Sequence, residues 1–423
     1  MNTIKGYVAC LLLALAALPG AVLACTGIDF SVKIDGYGSR TFAGRTMEFG
    51  PDVTSWKLLY VPHKAEYASC TLSKLHTCGD DSAGKKIIGY TWQTRYSYTG
   101  FTPMRPIKNP LDPGKPFEYT LKEITDGINE AGLYCGGFYH MGTEEYSKEP
   151  YVEGQKNISD MDFIAWVLGQ FGTVAELQLA LSAREGGKLF QPVYVRQFDV
   201  ELLDIPVTSM KKFPQLHYKV VDRFGAAVVI EFVDGKPRIF DSVGVITNNP
   251  TYDWMVTNLR NYVNLKTENY ESVDLLRSTY TKLSNGTGAL GLPGDFTSPS
   301  RFVRAAYLLD ATLTSQRFGN VVQSPEDAIL RSFRVLNQFD IPKGAVVEVH
   351  SENPPKATLE MTSWTSMADL KSKLYYYHTM NTRVIRMVSL QELMDRIPEG
   401  DPVTIELPAS ELILDVSDQF KAK

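Results

Sequence analysis

Cys25 is the residue of this chain whose type and position best suit it to chemistry. It follows Ala24 at the end of an apolar N-terminal segment, where a secretory leader would be cut. Cleavage there would leave a first residue that carries both a thiol and a free α-amine. Cysteine is a strong nucleophile, and an α-amine with an unperturbed pKa of roughly 7.7–8.0 can act as a base near neutral pH. One residue would therefore supply a nucleophile and its general base.

Residues 1–24 have the features of a signal peptide. Lys5 gives the start a positive charge, the apolar run over residues 7–18 is too short to span a bilayer, and Pro19 and Gly20 then break the helix. We expect cleavage before Cys25 and a periplasmic or secreted mature protein. The alternative is a lipoprotein signal, in which Cys25 would be lipidated and its amine acylated, although Leu23 fits that pattern poorly.

The composition after the leader is that of a soluble globular protein. Hydrophobic residues make up 44% of the chain and charged residues 22%, and no later segment has the length of a membrane span. The net charge of −5 gives no reason to expect nucleic acid as a partner.

Export places the remaining cysteines in an oxidising compartment. Cys10 would leave with the leader, and Cys70 and Cys78 flank a polar loop and could close a small disulfide. Cys25 and Cys135 are then left unpaired. Cys135 lies in a run typical of a buried strand, so it is interpreted as an inert core thiol.

The pattern after the leader predicts one α+β domain over residues 25–423, because no linker, like-charge block or fixed repeat divides the chain. Apolar residues alternate over 28–34 and a second strand follows at 41–49. Residues 226–240 predict a hairpin with its turn at Asp234 and Gly235. Helices are predicted after Thr173 and after Ser324, with a third apolar stripe over 302–309.

Five motifs, in order along the chain, resemble the signature of the choloylglycine hydrolase family. They are CTGI at 25–28, RTMEF at 45–49, DGINEAGL at 126–133, TNNPTYDW at 247–254, and GLPGDFT with SRF at 291–302. The family holds the bile salt hydrolases and penicillin V acylases, within the N-terminal nucleophile hydrolases. The resemblance runs from residue 25 to about 378 and implies a four-layer αββα fold that hydrolyses a linear amide.

The resemblance also implies a role for individual residues. Cys25 matches the nucleophile, and Arg45 matches the arginine beside its sulfur. Asn248 falls on the asparagine of the oxyanion hole, and Tyr139 on the residue whose backbone N–H is the other oxyanion donor. Arg301 matches the second arginine of the site.

Glu48 departs from the family pattern, because many members have aspartate three residues after the first arginine. The extra methylene keeps the charge but moves the carboxylate. Arg45 and Glu48, three apart on a straight strand, would point to opposite faces. Both can meet Cys25 only if the strand ends or bulges there.

The sequence therefore predicts an exported cysteine amidase whose small-molecule substrate has an N-acyl bond to an apolar or aromatic acyl group. Bile acid conjugates, phenoxyacetyl penicillin and fatty N-acyl homoserine lactones stay open as substrates. The enzyme is expected to be free of cofactors, and the six histidines show no metal-ligand spacing such as His-Glu-x-x-His. The sequence also has no Gly-x-Ser-x-Gly elbow, so a serine-hydrolase mechanism is not expected. Family analogy predicts a homotetramer. A catalytically inactive, secreted or lipid-anchored protein that binds acyl ligands is the alternative.

One set of aromatic residues has two interpretations at this stage, as the lining of an acyl pocket or as ordinary core. The set is Trp56, Tyr60, Trp92, Tyr96, Tyr98 and Phe101.

Overall fold

The computed structural model describes most of the chain after the predicted leader. The described residues are 24–48, 55–69, 77–80, 84, 86–104, 107–108, 116–117, 123–150, 152–185, 188–190, 193–197, 215–315, 317–350 and 356–407. The leader up to residue 23, Cys70 and the side chain of Cys78 lie outside them, so the predicted signal peptide and the predicted disulfide both fall outside the described residues.

Strands dominate the fold. In chain order they are β1 Cys25–Ile34, β2 Gly38–Glu48, β3 Ser55–Val61, β4 Glu66–Ala68, β5 Thr77–Asp80, β6 Lys86–Ile88, β7 Thr91–Gln93, β8 Tyr98–Met104, β9 Ile107–Lys108, β10 Pro116–Phe117, β11 Asp126–Asn129, β12 Leu133–Tyr139, β13 Lys156–Ser159, β14 Ala183–Glu185, β15 Lys188–Phe190, β16 Val193–Arg196, β17 Leu216–Asp222, β18 Ala227–Val233, β19 Lys236–Asp241, β20 Val245–Ile246, β21 Val273–Leu275, β22 Ser278–Tyr280, β23 Val346–His350, β24 Lys356–Glu360, β25 Thr362–Asp369, β26 Leu374–Thr379, β27 Thr382–Ser389 and β28 Val403–Glu406.

The helices are fewer and short. They are α1 Phe163–Gln170, α2 Val174–Leu181, α3 Tyr252–Asn258, α4 Ser298–Leu309, α5 Pro325–Leu336 and α6 Leu390–Arg396. Within the described ranges, no helix is long and apolar enough to cross a membrane.

Two large antiparallel sheets form the centre of the fold. The first has six strands in the order β20-β1-β2-β25-β26-β27, and the second has eight in the order β19-β18-β17-β12-β11-β8-β3-β28. The sheets pack face to face through apolar side chains, such as Trp364 from the first sheet, which stacks on Phe101 from the second, with Tyr134 and Phe138 beside them. Both large sheets consist of antiparallel pairs, as hairpin-rich sequences favour.

Helices cover the outer face of each sheet. Phe302 of α4 and Phe333 of α5 pack in the same apolar core as residues of the six-stranded sheet. Val167 of α1 and Leu177 of α2 pack with Cys135 on the outer face of the eight-stranded sheet. The predicted α+β fold with four αββα layers is therefore confirmed.

The strand that carries Cys25 is buried along most of its length. The predicted alternation holds only in its second half, where Ser31 and Lys33 reach solvent, while residues 25–30 are buried on both faces. Gly27 explains how the two sheets approach each other here. A Cβ built on Gly27 would lie 2.4 Å from the Phe138 ring and 2.8 Å from Ile246, so a side chain would not fit.

The other local predictions also match the structure. The hairpin forms from β18 and β19, and Gly235 takes the positive φ of 73° that its turn needs. Thr173 caps α2 by accepting a hydrogen bond from the Glu176 N–H at 3.2 Å. Ser324 caps α5 by accepting from the Asp327 N–H at 3.1 Å. Cys135 is a free thiol and fully buried, and burial raises its pKa well above 9.0, as an inert core thiol requires.

Candidate active site

Cys25 begins β1 and lies inside the protein, with 3% of its surface exposed. Its side chain joins the core between the two sheets. Its backbone nitrogen donates to Asn248 Oδ1 at 2.8 Å. The thiol and the nitrogen that cleavage would turn into an amine are thus both held in place by contacts distant in sequence.

Arg45 lies on the strand next to Cys25 and contacts its sulfur. Arg45 Nη2 donates to Cys25 Sγ at 2.6 Å, Nε donates to the Thr46 carbonyl at 3.1 Å, and Nη1 donates to the Gly137 carbonyl. The guanidinium also lies over the Phe138 ring, 4.3 Å from its centroid. The predicted position of Arg45 beside the sulfur matches the geometry.

Burial and charge act on the Cys25 thiol in opposite directions. Burial raises its pKa above 9.0 and Glu48 adds to the effect, whereas Arg45, Arg301 and the Glu48 backbone N–H lower it. Burial has the larger effect, so with Ala24 still attached the thiol is favoured over the thiolate. The charges of the two arginines favour the thiolate, but burial outweighs their effect.

A bulge brings Glu48 to the same site as Arg45. Met47 pairs with Trp364, but Glu48 pairs with Thr362, so the register of β2 against β25 shifts between them. This irregularity satisfies the condition set by the spacing of Arg45 and Glu48. Glu48 Oε1 accepts a hydrogen bond from Thr362 Oγ1 at 3.0 Å, so the longer side chain has a partner of its own.

The Glu48 carboxyl group is buried and only half satisfied. Its Oε2 has no hydrogen-bond partner within the described part of the chain. Burial raises the pKa of Glu48 to about 7, against the opposing charges of Arg301 and Arg45. A free oxygen on a buried carboxyl near Cys25 is suited to accept from an additional donor.

Arg301 reaches the backbone of Cys25 rather than its sulfur. From α4, Nη1 donates to the Cys25 carbonyl at 2.5 Å and to Thr26 Oγ1 at 2.8 Å, and Nη2 donates to Asn248 Oδ1 at 2.7 Å. Its Nε donates to the Phe296 carbonyl at 2.9 Å. Of the two arginines, Arg301 therefore fixes the strand start and the asparagine, and Arg45 faces the sulfur.

The contacts of Asn248 fix the orientation of its amide. Oδ1 accepts from the Cys25 nitrogen and from Arg301, while Nδ2 donates to the Tyr139 carbonyl at 2.8 Å. The Asn248 N–H donates to Ser298 Oγ at 2.8 Å. Among the described residues the second Nδ2 hydrogen has no acceptor, so it can bind a substrate oxygen, which is the property that an oxyanion donor needs.

Tyr139 ends β12 next to this asparagine. Because the His140 N–H donates to the Gln215 carbonyl, and antiparallel bonds alternate in direction, the Tyr139 N–H points away from β17. The strand on the other side of β12 is β11, which pairs with residues 134–136 only. The Gly137 N–H still reaches the Thr125 carbonyl there, but β11 does not extend as far as Tyr139. The Tyr139 N–H therefore lies on the same side as its carbonyl, which Asn248 contacts.

Two residues of the site were not predicted: Thr362, which donates to Glu48, and Ser298, which accepts from the Asn248 N–H. Asp126, part of a recognised motif but without an assigned role, lies near Arg45 and accepts from Ser366 Oγ at 2.7 Å and Tyr375 OH at 2.8 Å. Burial opposes the charge of Arg45, but Cys25, Tyr134, Asp126 and Glu48 together raise its pKa above the usual value for arginine.

A second group of buried polar side chains, the His–Glu cluster, was also missed. It consists of His140, Glu144, His217 and Glu231, each at most 3% exposed. Ligand-type atoms of His140, Glu144 and His217 lie within 4.8 Å of one another, so in composition this trio could hold a metal. The four-residue spacing of His140 and Glu144 was visible in the sequence, but His217 joins them only in the folded chain.

Most of the aromatic set belongs to the core. Phe101 stacks on Trp364 with ring centroids 4.0 Å apart, and Trp92 stacks on Tyr67 at 4.3 Å. Trp56 is different, because it packs against Tyr139 at the site together with Met141. The core interpretation therefore accounts for Trp92 and Phe101, and Trp56 is positioned to contact a ligand.

Two facing antiparallel sheets between helical layers, with a cysteine at the start of a central strand, are the fold of the N-terminal nucleophile hydrolases. A structure of a mutant conjugated bile acid hydrolase from Clostridium perfringens covers 93% of this chain and 100% of its own chain, with a TM-score of 0.68 and 26% identity. Penicillin V acylase from Agrobacterium tumefaciens shares the fold, with a TM-score of 0.58 and 20% identity, covering 91% of this chain and 92% of its own.

The chain belongs to the choloylglycine hydrolase family of linear amide C–N hydrolases, whose family model matches residues 25–399. A bile salt hydrolase/transferase from Clostridium perfringens is 33% identical over 272 residues, which cover 64% of this chain and 73% of that protein. A penicillin V acylase from Pectobacterium atrosepticum is 23% identical over 280 residues, which cover 64% and 63% respectively. The protein is therefore a hydrolase of carbon–nitrogen bonds, other than peptide bonds, in linear amides.

Proposed function

We propose that this protein is an exported cysteine amidase in which the Cys25 thiol is the nucleophile and the Cys25 α-amine is the base. The observation that carries the proposal is the double anchoring of Cys25. Arg45 donates to its sulfur at 2.6 Å, and its nitrogen donates to Asn248 at 2.8 Å. Thiol and amine are thus held at one point inside the protein, beside two oxyanion donors.

The first half of the reaction forms a thioester. The free amine takes the thiol proton, the sulfur attacks the amide carbon, and the carbonyl electrons move to its oxygen. The free hydrogen of Asn248 Nδ2 and the Tyr139 N–H stabilise that oxyanion. When it collapses, the C–N bond breaks and the α-ammonium returns its proton to the leaving nitrogen, so the acyl group stays on Cys25.

The second half restores the enzyme. The α-amine removes a proton from water, and the resulting hydroxide attacks the thioester. The C–S bond then breaks, and the α-ammonium returns its proton to the leaving sulfur, which gives a carboxylic acid and the Cys25 thiol. Arg45 stabilises the sulfur as it leaves, because a cation beside a thiolate lowers its free energy. The unpaired Oε2 of Glu48 would accept a hydrogen bond from the α-ammonium formed in each half.

The surface beside the oxyanion donors supports an apolar acyl group. Trp56, Met141 and Leu216 pack against Tyr139, so aromatic and aliphatic surface flanks the position of the substrate carbonyl. The Clostridium relative is described as a bile salt hydrolase and the Pectobacterium relative as a penicillin V acylase. Bile acid conjugates and phenoxyacetyl penicillin are accordingly the first substrates to test. N-acyl homoserine lactones are the next.

Export and assembly form part of the same proposal. Residues 1–24 would be removed on export to the periplasm or beyond, which frees the α-amine. A homotetramer is supported by apolar side chains exposed on one stretch of the chain: Val263, Leu276 and Leu283 are 84%, 94% and 104% exposed. Light scattering on the purified protein measures the assembly state.

Two experiments test the function. Mass spectrometry of the exported protein reads its N-terminus, and free Cys25 is expected; a diacylglyceryl cysteine would instead support the lipid-anchored binding protein. A panel of N-acyl amides with bile acyl, phenoxyacetyl and fatty acyl groups is then incubated with protein that begins at Cys25. Release of the amine from any member supports the amidase. Binding without release across the panel would favour the inactive alternative.

A further inference from the structure

The His–Glu cluster lies directly behind the two proposed oxyanion donors. His140 follows Tyr139 in the chain, and His217 contacts the carbonyl of Thr247, the residue before Asn248. His140 Nδ1 and Glu144 Oε1 are 2.6 Å apart, and His217 Nδ1 is 3.5 Å from Glu231 Oε1. All four side chains are buried although none of them contacts Cys25, so the cluster has a cost in desolvation that needs a reason.

The ring geometry argues against a metal as that reason. The imidazoles of His140 and His217 stack face to face, with centroids 4.2 Å apart and planes at 8°. Nitrogen lone pairs lie in the ring plane, so the lone pairs of two parallel rings run side by side and do not converge on one ion. A tetrahedral zinc site needs nitrogen ligands that converge at about 2.0–2.1 Å.

Hydrogen bonds from the cluster instead hold both ends of the segment that carries Asn248. At one end, His217 Nε2 lies 3.1 Å from the Thr247 carbonyl. A carbonyl only accepts, so this nitrogen carries the hydrogen. At the other end, Glu231 Oε1 accepts from the Tyr252 N–H at 2.7 Å. Residues 247–252 are thus attached to neighbouring strands β17 and β18 by one member of the cluster each.

The other two members of the cluster, His140 and Glu144, connect the segment that follows Tyr139 to β18. Glu144 Oε2 accepts from the Phe232 N–H, next to Glu231, while its Oε1 faces His140. Asn249 closes the gap between the two segments, because its Nδ2 donates to the Met141 carbonyl at 2.8 Å and to Thr143 Oγ1 at 2.7 Å. Both donor-bearing segments are therefore fixed to one buried polar group.

The proton arrangement in the cluster fits neutral side chains. Burial lowers the pKa of His140 and lowers that of His217 well below 6.5, and burial raises the pKa of Glu144 to about 9. A protonated Glu144 donates to His140 Nδ1, and a neutral His217 with its hydrogen on Nε2 donates to Thr247. Uncharged groups keep these hydrogen bonds without placing a bare charge in the core.

We propose that the His–Glu cluster is a positioning device that sets the distance between the two oxyanion donors, with His217 as the residue that holds Asn248 in place through Thr247. The inference rests on the proposed amidase function for its kinetic consequence. Its structural consequence stands alone: without the His217 donor, Asn248 Nδ2 should move away from the Tyr139 carbonyl, from which it is 2.8 Å here.

The test compares His217→Leu, which has no donor, with His217→Gln, whose amide can donate from nearly the same place. Removal of an oxyanion donor costs roughly 10²–10³ in rate, and a displaced donor should cost less. For His217→Leu we expect kcat to fall about 10- to 100-fold with KM changed less than about threefold. His217→Gln should retain most of kcat, and the rate of Cys25 alkylation should be the same in all forms.

His378→Leu is the matched control, since His378 is also buried and its Nε2 contacts Asn337 Oδ1 at 2.9 Å, in the other large sheet. It should keep kcat. Crystal structures of the variants measure the distance between Asn248 Nδ2 and the Tyr139 carbonyl, and this readout does not need an active enzyme. An inactive wild-type protein would refute the amidase function but would leave the positioning proposal to be decided by that distance. An unchanged distance in His217→Leu, or equal loss of kcat in His378→Leu, would overturn the inference. So would stoichiometric zinc in the wild type that is lost from His217→Leu.

Discussion

Arg45 donates a hydrogen bond from Nη2 to Cys25 Sγ at 2.6 Å, and both side chains are buried. The pair couples a fixed cation to a thiol in surroundings that otherwise favour the neutral form. Burial is the largest influence on the Cys25 pKa and raises it, and Arg45 is the largest that lowers it. Among the groups that favour ionisation of the sulfur, the Arg45 guanidinium therefore has the largest effect.

Loss of that cation should make the thiol harder to ionise. In Arg45→Met we expect the pH midpoint of Cys25 alkylation to move up and the rate at pH 7 to fall by about tenfold or more, since each pKa unit is tenfold in thiolate. Iodoacetamide labelling followed by peptide mass spectrometry measures the midpoint at Cys25. Arg40→Met is the control, because Arg40 lies on the same strand as Arg45 but is paired with Asp369 of β25. It should leave the pH midpoint unchanged. Identical midpoints in all forms would contradict the coupling.

Of the two free cysteines, Cys25 should be essential for turnover and Cys135 should not be needed for it. Cys25→Ala removes the attacking atom and is expected to abolish turnover while the protein still folds and binds substrate. Cys135→Ala should retain normal turnover, because Cys135 packs on the outer face of the eight-stranded sheet. Steady-state rates with protein free of wild-type contamination measure both. Turnover that survives in Cys25→Ala would exclude this thiol as nucleophile.

Asn248 should matter for rate more than for binding. We propose that its free Nδ2 hydrogen is an oxyanion donor, so Asn248→Ala is expected to lower kcat by roughly 10²–10³ with a smaller change in KM. Asn261→Ala, which changes an exposed asparagine bonded to Asn258, serves as the control. If kcat is unchanged in Asn248→Ala, the oxyanion binds elsewhere.

Glu48 gives a pH dependence of stability. Its pKa is raised by burial from 4.5 to about 7, so folding favours the protonated form. Its contribution to stability is complete below about pH 4.5 and is lost as pH rises through 7. We therefore compare the free energy of unfolding of Glu48→Gln with that of the parent, both in protein that retains Ala24. This difference should shift in favour of Glu48→Gln by about 3 kcal/mol between pH 4.5 and pH 8. Urea unfolding at both pH values measures the gain, and an equal difference at both would refute it.

Sequence patterns predicted the elements whose causes are local. The hairpin turn at Asp234 and Gly235, the caps at Thr173 and Ser324, and the apolar stripe over 302–309 each depend on residues a few positions apart. The family resemblance supplied the candidate site residues, and the fold brings all six into one region. The alternation in β1 predicted a strand, but it could not show that residues 25–30 would be covered on both faces.

The parts that were not predicted depend on tertiary contacts. The register shift at Glu48 arises from the pairing of β2 with β25, more than 300 positions later in the chain. The His–Glu cluster needs β17 and β18 beside the end of β12. The dominance of burial over charge at Cys25 needs the packed core itself, since desolvation cannot be obtained from residue types alone.

The α-amine is the central claim, and protein with and without Ala24 tests it most directly. In the chain that retains Ala24, the Cys25 nitrogen is an amide that donates to Asn248, and the Ala24 carbonyl accepts from the Glu48 N–H at 3.1 Å. An amide nitrogen has no basic lone pair, so this form should be folded and inactive, with a thiol that small reagents still alkylate.

The comparison uses a fusion protein with a protease site placed so that cleavage makes Cys25 the first residue. Amine release from the best substrate of the panel is measured before and after cleavage. The account predicts turnover only after cleavage, at a rate at least about 10²-fold above that of the extended form, as expected for loss of a general base. Equal rates before and after cleavage would show that a side chain is the base and would contradict the N-terminal nucleophile mechanism.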